Sequence, residues 1–409
     1  MRTATFCTGS CLLGVVLSGC FLVPTVPVEC SARRPCPSGQ ACDPESSTCV
    51  DATEPPLAEP EPPLCERDCT PCRVHADCPS LVCDVYLTTA LGGSCLPLSA
   101  LVYVDNRDGA CMPGGDGDSP ATALCTLTEG LARASTTGRK ALRVMASSRS
   151  YGPVVLADRG LTLYGPAGEG GRAQLGGAPG IDAVTVTPGA QVVVDGFDIT
   201  RGEAGVSCTG GDADTRVTLR RSRITAAADL GLLVNNCRLE VDRVLLSSNG
   251  KGALVTVGTR PYRITNSFIV RHRSTALPTV KMASSAPGTF RFNTVVDNSS
   301  TLAAAIDCSG QPLRISDSIV VRNQRVGGSQ LQNGCQVSNT VVGPFDLAPG
   351  SKLLPEFARV GDVDYGLSSD SHVNRQCCID RAEATQGRDY FGTPRPVGPR
   401  ADIGAHEVK

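Results

Sequence analysis

The sequence predicts an all-β protein: a right-handed parallel β-helix of roughly 8–10 coils, preceded by small disulfide-rich modules. Three observations point there. From about residue 150, short apolar runs recur with Gly, Asn, Asp and Ser between them. Aligning the position just after the first inward apolar residue gives Gly196, Arg221, Arg243, Asn266, Asn293, Asp317 and Asn339, spaced 22 to 27 residues apart. An interval in the low twenties is one coil of three short strands and three turns. The composition agrees, because 44 Gly, 29 Pro, 4% aromatics and no Trp suit turn-rich strands and not a helical bundle. Finally, 21 cysteines against four histidines favour disulfides over zinc, and so an oxidising compartment. A net charge of -2 gives no reason to expect nucleic acid as a partner.

The first element, residues 1–19, reads as a signal peptide. Arg2 precedes the apolar run Leu12–Leu17, which is too short to span a bilayer. Leu17-Ser18-Gly19-Cys20 resembles the lipobox of bacterial lipoproteins. That resemblance implies that Cys20 is lipidated and begins the mature chain, so a membrane is a partner through the anchor. Phe21 stands where that family's inner-membrane retention signal has Asp, which implies an outer-membrane or cell-surface location. Taking Cys7, Cys11 and Cys20 from 21 leaves 18 cysteines, an even number that permits complete pairing.

Residues 20–99 read as a cysteine-rich stalk. Cys30, Cys36-Pro37, Cys42 and Cys49 repeat as Cys72, Cys78-Pro79, Cys83 and Cys95, with Cys65 and Cys69 as an extra pair. The connectivity stays open. Residues 51–64 between the two modules are rich in Pro and favour a semi-rigid polyproline II spacer. Modules this small depend on crosslinks, and holding the body off the membrane is their expected role, with ligand-binding knots as the alternative.

The body divides into an N-terminal cap (101–140), coils (141–344) and a C-terminal capping segment (345–409). In Arg263–Val270, apolar residues alternate into a bend at Asn266 and resume after it. Asn249, Asn298 and Asn323 recur about six places past the aligned column and read as a turn ladder, with sugar contacts as the alternative. Leu101-Val102-Tyr103-Val104-Asp105, the Gly/Asp-rich 114–120 and the amphipathic Leu124–Ala134 resemble the opening of pectate-lyase-like β-helix proteins. Thr126 and Glu129 supply a capping box there. Asp389–Pro396 and Ala401–Glu407 resemble the closing D-x-x-G-x-x-R…D-I-G-A-x-E signature of bacterial cell-surface β-helix proteins. Both ends of such a solenoid need a cap.

Coil register brings residues about 22–27 apart into axial alignment, close enough for disulfides. It predicts Cys208–Cys237 and Cys308–Cys335, with Cys111–Cys125 pinning the N-terminal cap. Buried unpaired thiols are the alternative for the coil pairs, and the partners of Cys377 and Cys378 stay open.

The fold implied by the resemblance hosts lyases and glycosidases, so catalysis has candidates. Asp195, Asp198 and Asp242, with Arg243 and its neighbours Arg220, Arg221 and Arg223, are the nearest approach to a carboxylate cluster with a base. Charges solvating an outer face are the plainer reading. Calcium is the one cofactor raised, through Asp105, Asp108, Asp116 and Asp118, which are ordinary turn residues as well. His272, His372 and His406 are isolated and read as surface or cap residues. The expectation is a monomeric, non-catalytic surface protein for adhesion, glycan binding or envelope structure, with polysaccharides or other surface proteins as partners. A polysaccharide lyase or glycosidase is the alternative.

Overall fold

The computed structural model describes residues 40–43, 48–51, 71–86, 93–166, 171–211, 214–301, 304–310, 313–325, 330–343, 354–361, 363–383 and 387–409. Cys20, the residues before it and the Pro-rich 51–64, apart from Asp51, lie outside them. The body is a parallel β-solenoid of about seven turns, fewer than the 8–10 expected.

Leu101–Val104 and Ala141–Val144 open one sheet, and the coils that follow distribute their strands over three parallel sheets. In one coil these are Arg216–Arg220, Arg223–Thr225 and Leu230–Asn235; in the next, Arg238–Asp242, Leu245–Ser247 and Gly252–Gly258. The first strands build a ten-stranded sheet, here the groove sheet; the second and third build eight-stranded sheets, the covered sheet and the third sheet. Pairing aligns like with like. Val194, Leu219, Val241, Ile264, Phe290 and Ile315 stack as one interior column, each nearly or fully buried.

The aligned column of the sequence is the corner between the groove sheet and the covered sheet. Gly196, Arg221, Arg243, Asn266, Asp317 and Asn339 all have left-handed backbone, with φ between 44° and 85°. The fifth member departs by one place, since Phe292 takes φ 54° and Asn293 follows it. Five residues on, Arg201, Ala226, Ser248, Arg271, Asp297 and Arg322 make a second left-handed column. A non-Gly residue rarely adopts this conformation, so two such columns require compensation.

The compensation is inside. After the first corner, the side chains of Ser222, Ser267, Asn293, Ser318 and Thr340 accept hydrogen bonds from backbone N–H groups of Phe197, Val244, Ser267, Asn293 and Ser318 on the preceding coil. After the second corner, Asn249, His272, Asn298 and Asn323 accept in the same way from Ala227, Asn249, His272 and Asn298. His272 is therefore not a surface or cap residue. It is fully buried and substitutes for Asn in the ladder through Nδ1, and burial lowers its pKa to about 4.

At the N-terminal end, helix α1 (Leu127–Thr137) carries the Thr126/Glu129 capping box and buries Leu127, Gly130 and Ala134. A Cβ on Gly130 would lie 2.4 Å from the Val104 side chain, so only Gly lets the helix sit this close. Cys111–Cys125 closes this cap, and Cys208–Cys237 and Cys308–Cys335 link successive coils with Cα separations of 6.1 and 5.1 Å. Cys72–Cys83 and Cys78–Cys95 close the second module, and Cys377 bonds to Cys378.

Two segments sit differently from expectation. The described residues of the C-terminal segment pack along the outward face of the covered sheet. That face carries Leu245, Phe268, Val270, Val296, Ile319 and Val321, and it is sealed by Val363, Tyr365, Leu367, Ala401, Ile403 and Ala405. An apolar outer face must be covered. Likewise, the described part of the second module is no free spacer. Val82 and Leu96 cover Tyr103, Ala141 and Tyr164 on the first strands of the groove sheet. The Tyr103 hydroxyl donates to the Ser80 carbonyl at 2.8 Å and the Tyr164 hydroxyl to Asp84 at 2.6 Å.

Asn298→Ala tests the interior ladder. It removes the acceptor of the His272 N–H and the donor to the Ile269 carbonyl and Asn323. Orphaning these buried groups is expected to cost about 2–3 kcal/mol in urea unfolding; a change under about 0.5 kcal/mol contradicts it.

Candidate functional site

Outward residues of the groove sheet line up as the strand period dictates. One column runs Asp195, Arg220, Asp242, Thr265, Arg291 and Ser316; its neighbour runs Val193, Thr218, Glu240, Arg263, Thr289 and Arg314. With part of the sheet covered by the module and the adjacent face by the C-terminal segment, the middle of these columns floors a groove of about 700 Å³. Val85 and Tyr86 from the module, and Glu383, Gly387 and Arg388 from the C-terminal segment, add to its lining. Arg220, Arg243, Arg263, Arg291 and Arg388 all line it.

The acidic residues here are engaged. Asp242 accepts from the Tyr86 hydroxyl at 2.8 Å, from Thr265 at 2.9 Å and from Asn266 at 2.8 Å, with Arg243 Nε at 3.2 Å. Burial alone would raise its pKa, but Arg243 and these hydrogen bonds hold it below the usual carboxylate range. Glu240 pairs with Arg216 at 2.7 Å, and Glu383 also has a partner. Glu240 and Asp242 are two residues apart on one strand and face the same way. A general acid needs a raised pKa, and the environment of Asp242 works against one.

The sequence candidates separate. Asp242 and Arg243 lie in the groove. Asp195 is fully buried beside it, gripped by both Arg221 Nε and a terminal nitrogen at 2.7 Å. Burial opposes its charge, yet the Arg221 guanidinium and its hydrogen bonds keep the carboxyl below its ordinary range. Asp198 belongs to the covered sheet, with Arg172 at 3.4 Å, and burial raises its pKa. Sequence reasoning missed Glu240, Arg263, Arg291, Arg388 and Tyr86. The first three were findable, since period-2 alternation from each corner marks them as outward on the same sheet.

The calcium candidates do not converge. Asp105 is held by Arg107, Asp108 by Arg149, Asp116 by the Thr122 hydroxyl and Asp118 by Arg133 and Arg139. Among the described residues, the one close ligand group is Cys72, Cys78 and Cys83, and all three are disulfide-bonded. The closing motif is a buried polar knot: Arg395 pairs with Glu407 at 2.9 Å and donates to the carbonyls of Asp402 and Gly404. Asp389 accepts the N–H groups of Thr393 and Glu407. Its residues are consumed in holding that segment on the covered sheet. No family model, curated protein or solved structure matches the chain.

Arg221→Ala strands Asp195 in the interior without its counter-charge. The loss is expected to be about 3–5 kcal/mol at pH 7. In the wild type the pair contributes above the ordinary carboxylate pKa and is lost as pH falls through the depressed one. The gap between variant and wild type should therefore narrow toward pH 3; chemical denaturation at both pH values checks it, and a gap that widens in acid contradicts the assignment.

Proposed function

We propose that the protein is a lipid-anchored, surface-displayed binding protein whose groove holds an acidic glycan without cleaving it. The observation that carries this reading is the groove itself: five arginines line it against three acids, Glu240, Asp242 and Glu383, and of the arginines Arg243 is paired with Asp242 and Arg291 with Asp317 outside the lining. Guanidinium groups recognise carboxylate and sulfate through paired hydrogen bonds, and a cleft of one sign concentrates ligands of the other. Anchoring rests on the lipobox-like Leu17–Cys20 and the outer-membrane destination on Phe21. No helix among the described residues is long and apolar enough to cross a membrane. The pectate-lyase-like resemblance rests on the opening of the body, and the resemblance to cell-surface β-helix proteins on its closing motif.

The test is the full chain carrying Cys20→Ser, which should lose lipid labelling and move to the soluble fraction. On immobilised alginate and hyaluronan it should be retained, and on neutral dextran it should not. Retention should weaken as salt rises, and Arg263→Ala, which leaves the Arg291–Asp317 pair intact, should lower affinity about 3- to 10-fold. Equal retention on dextran overturns the electrostatic reading. Release of new sugar ends from either acidic polymer makes the groove a lyase or glycosidase site instead.

A further inference from the structure

At one end of the groove, a side chain of the protein itself makes the contacts of a ligand. The Tyr86 ring lies between two guanidinium groups, its centroid 4.1 Å from Arg220 Cζ and 4.8 Å from Arg243 Cζ. Its hydroxyl donates to Asp242 at 2.8 Å and accepts from Arg243 Nε at 3.0 Å. The module does not need this residue as its only anchor. Val82 and Leu96 are buried against Leu101, Tyr103 and Tyr164, and Ser80 and Asp84 receive the two tyrosine hydroxyls of the body. Tyr86 instead reaches past that apolar contact into a charged, partly open space.

We propose that Arg220, Asp242 and Arg243 form a subsite for one ring of an acidic glycan, occupied here by Tyr86 as a tethered competitor. This rests on the acidic-glycan reading of the groove. The chemistry is transferable: a carboxylated sugar offers a hydroxyl for Asp242 and an anion for the two guanidinium groups. That anion replaces the weaker attraction of a neutral aromatic face for a cation. Tethering gives Tyr86 a high effective concentration, so a short glycan competes poorly for this subsite. A longer one, already held further along the groove where Arg263 lies, competes on equal terms. The module then sets a minimum length for full occupancy of the groove.

The experiment measures binding of alginate oligomers of graded length to the full Cys20→Ser chain, with Tyr86 intact or replaced. Tyr86→Ala should bind short oligomers about tenfold tighter and abolish the length threshold. Tyr86→Phe, which keeps the ring and loses the hydroxyl, should fall between. In the intact chain, nitration of Tyr86 should be slow and should accelerate when long alginate is added. Equal or weaker binding by Tyr86→Ala with an unchanged melting point overturns the plug while leaving the groove reading standing. A nitration rate that long alginate does not raise overturns it too, even should the Ala variant fail to fold. Binding by neither form removes both the plug and the glycan reading it rests on.

Discussion

Six successive coils of this solenoid turn two corners through left-handed backbone, and the N–H group after each corner is carried inside, away from water. A buried donor without an acceptor is costly, and here it would be repeated coil after coil. The chain meets the constraint with a side chain one coil further on: Ser, Thr or Asn after the first corner, and Asn or His after the second. Most coils thus satisfy the one before them, with Val244 and Ala227 breaking the pattern. The ladder fixes axial register, and register in turn decides which side chains stack outward. Stability in such a quasi-one-dimensional fold comes from these neighbour terms.

The outward columns then dictate what is covered. Where they are apolar, as at Phe268, Val296 and Ile319, the C-terminal segment lies on them. Gly404 is pressed so close that a Cβ would meet Ile319 and Thr294 at 2.8 Å. Where they carry Tyr103 and Tyr164, the disulfide module lies on them. What stays open is the polar middle of the groove sheet. The candidate site is therefore what remains after two covering segments have claimed the apolar faces, and both lend residues to its rim.

Features set by local chemistry were legible in the sequence. The corner column, the Asn ladder and the Thr126/Glu129 cap each need only a residue type at a spacing. Alignment slipped at one coil, because Asn293 looks like a corner residue. The corner is Phe292, and Asn293 holds the interior acceptor position behind it. The placement of the C-terminal segment had an unread signal: Phe268-Ile269-Val270 and Ile319-Val320-Val321 are continuously apolar, which means burial on both faces. Tyr86 gave no such signal. It reaches Asp242 across 156 residues of chain, and neither local propensity nor period registers a contact of that range.

Register is the claim on which the ladder, the covered faces and the groove all depend, and the disulfides report it directly. Non-reducing peptide mapping of the folded chain should recover Cys208 joined to Cys237 and Cys308 joined to Cys335, each bond spanning neighbouring coils. Free thiols at Cys208 and Cys237, or a bond from Cys208 to Cys335, would contradict the coil register and with it the groove built on it.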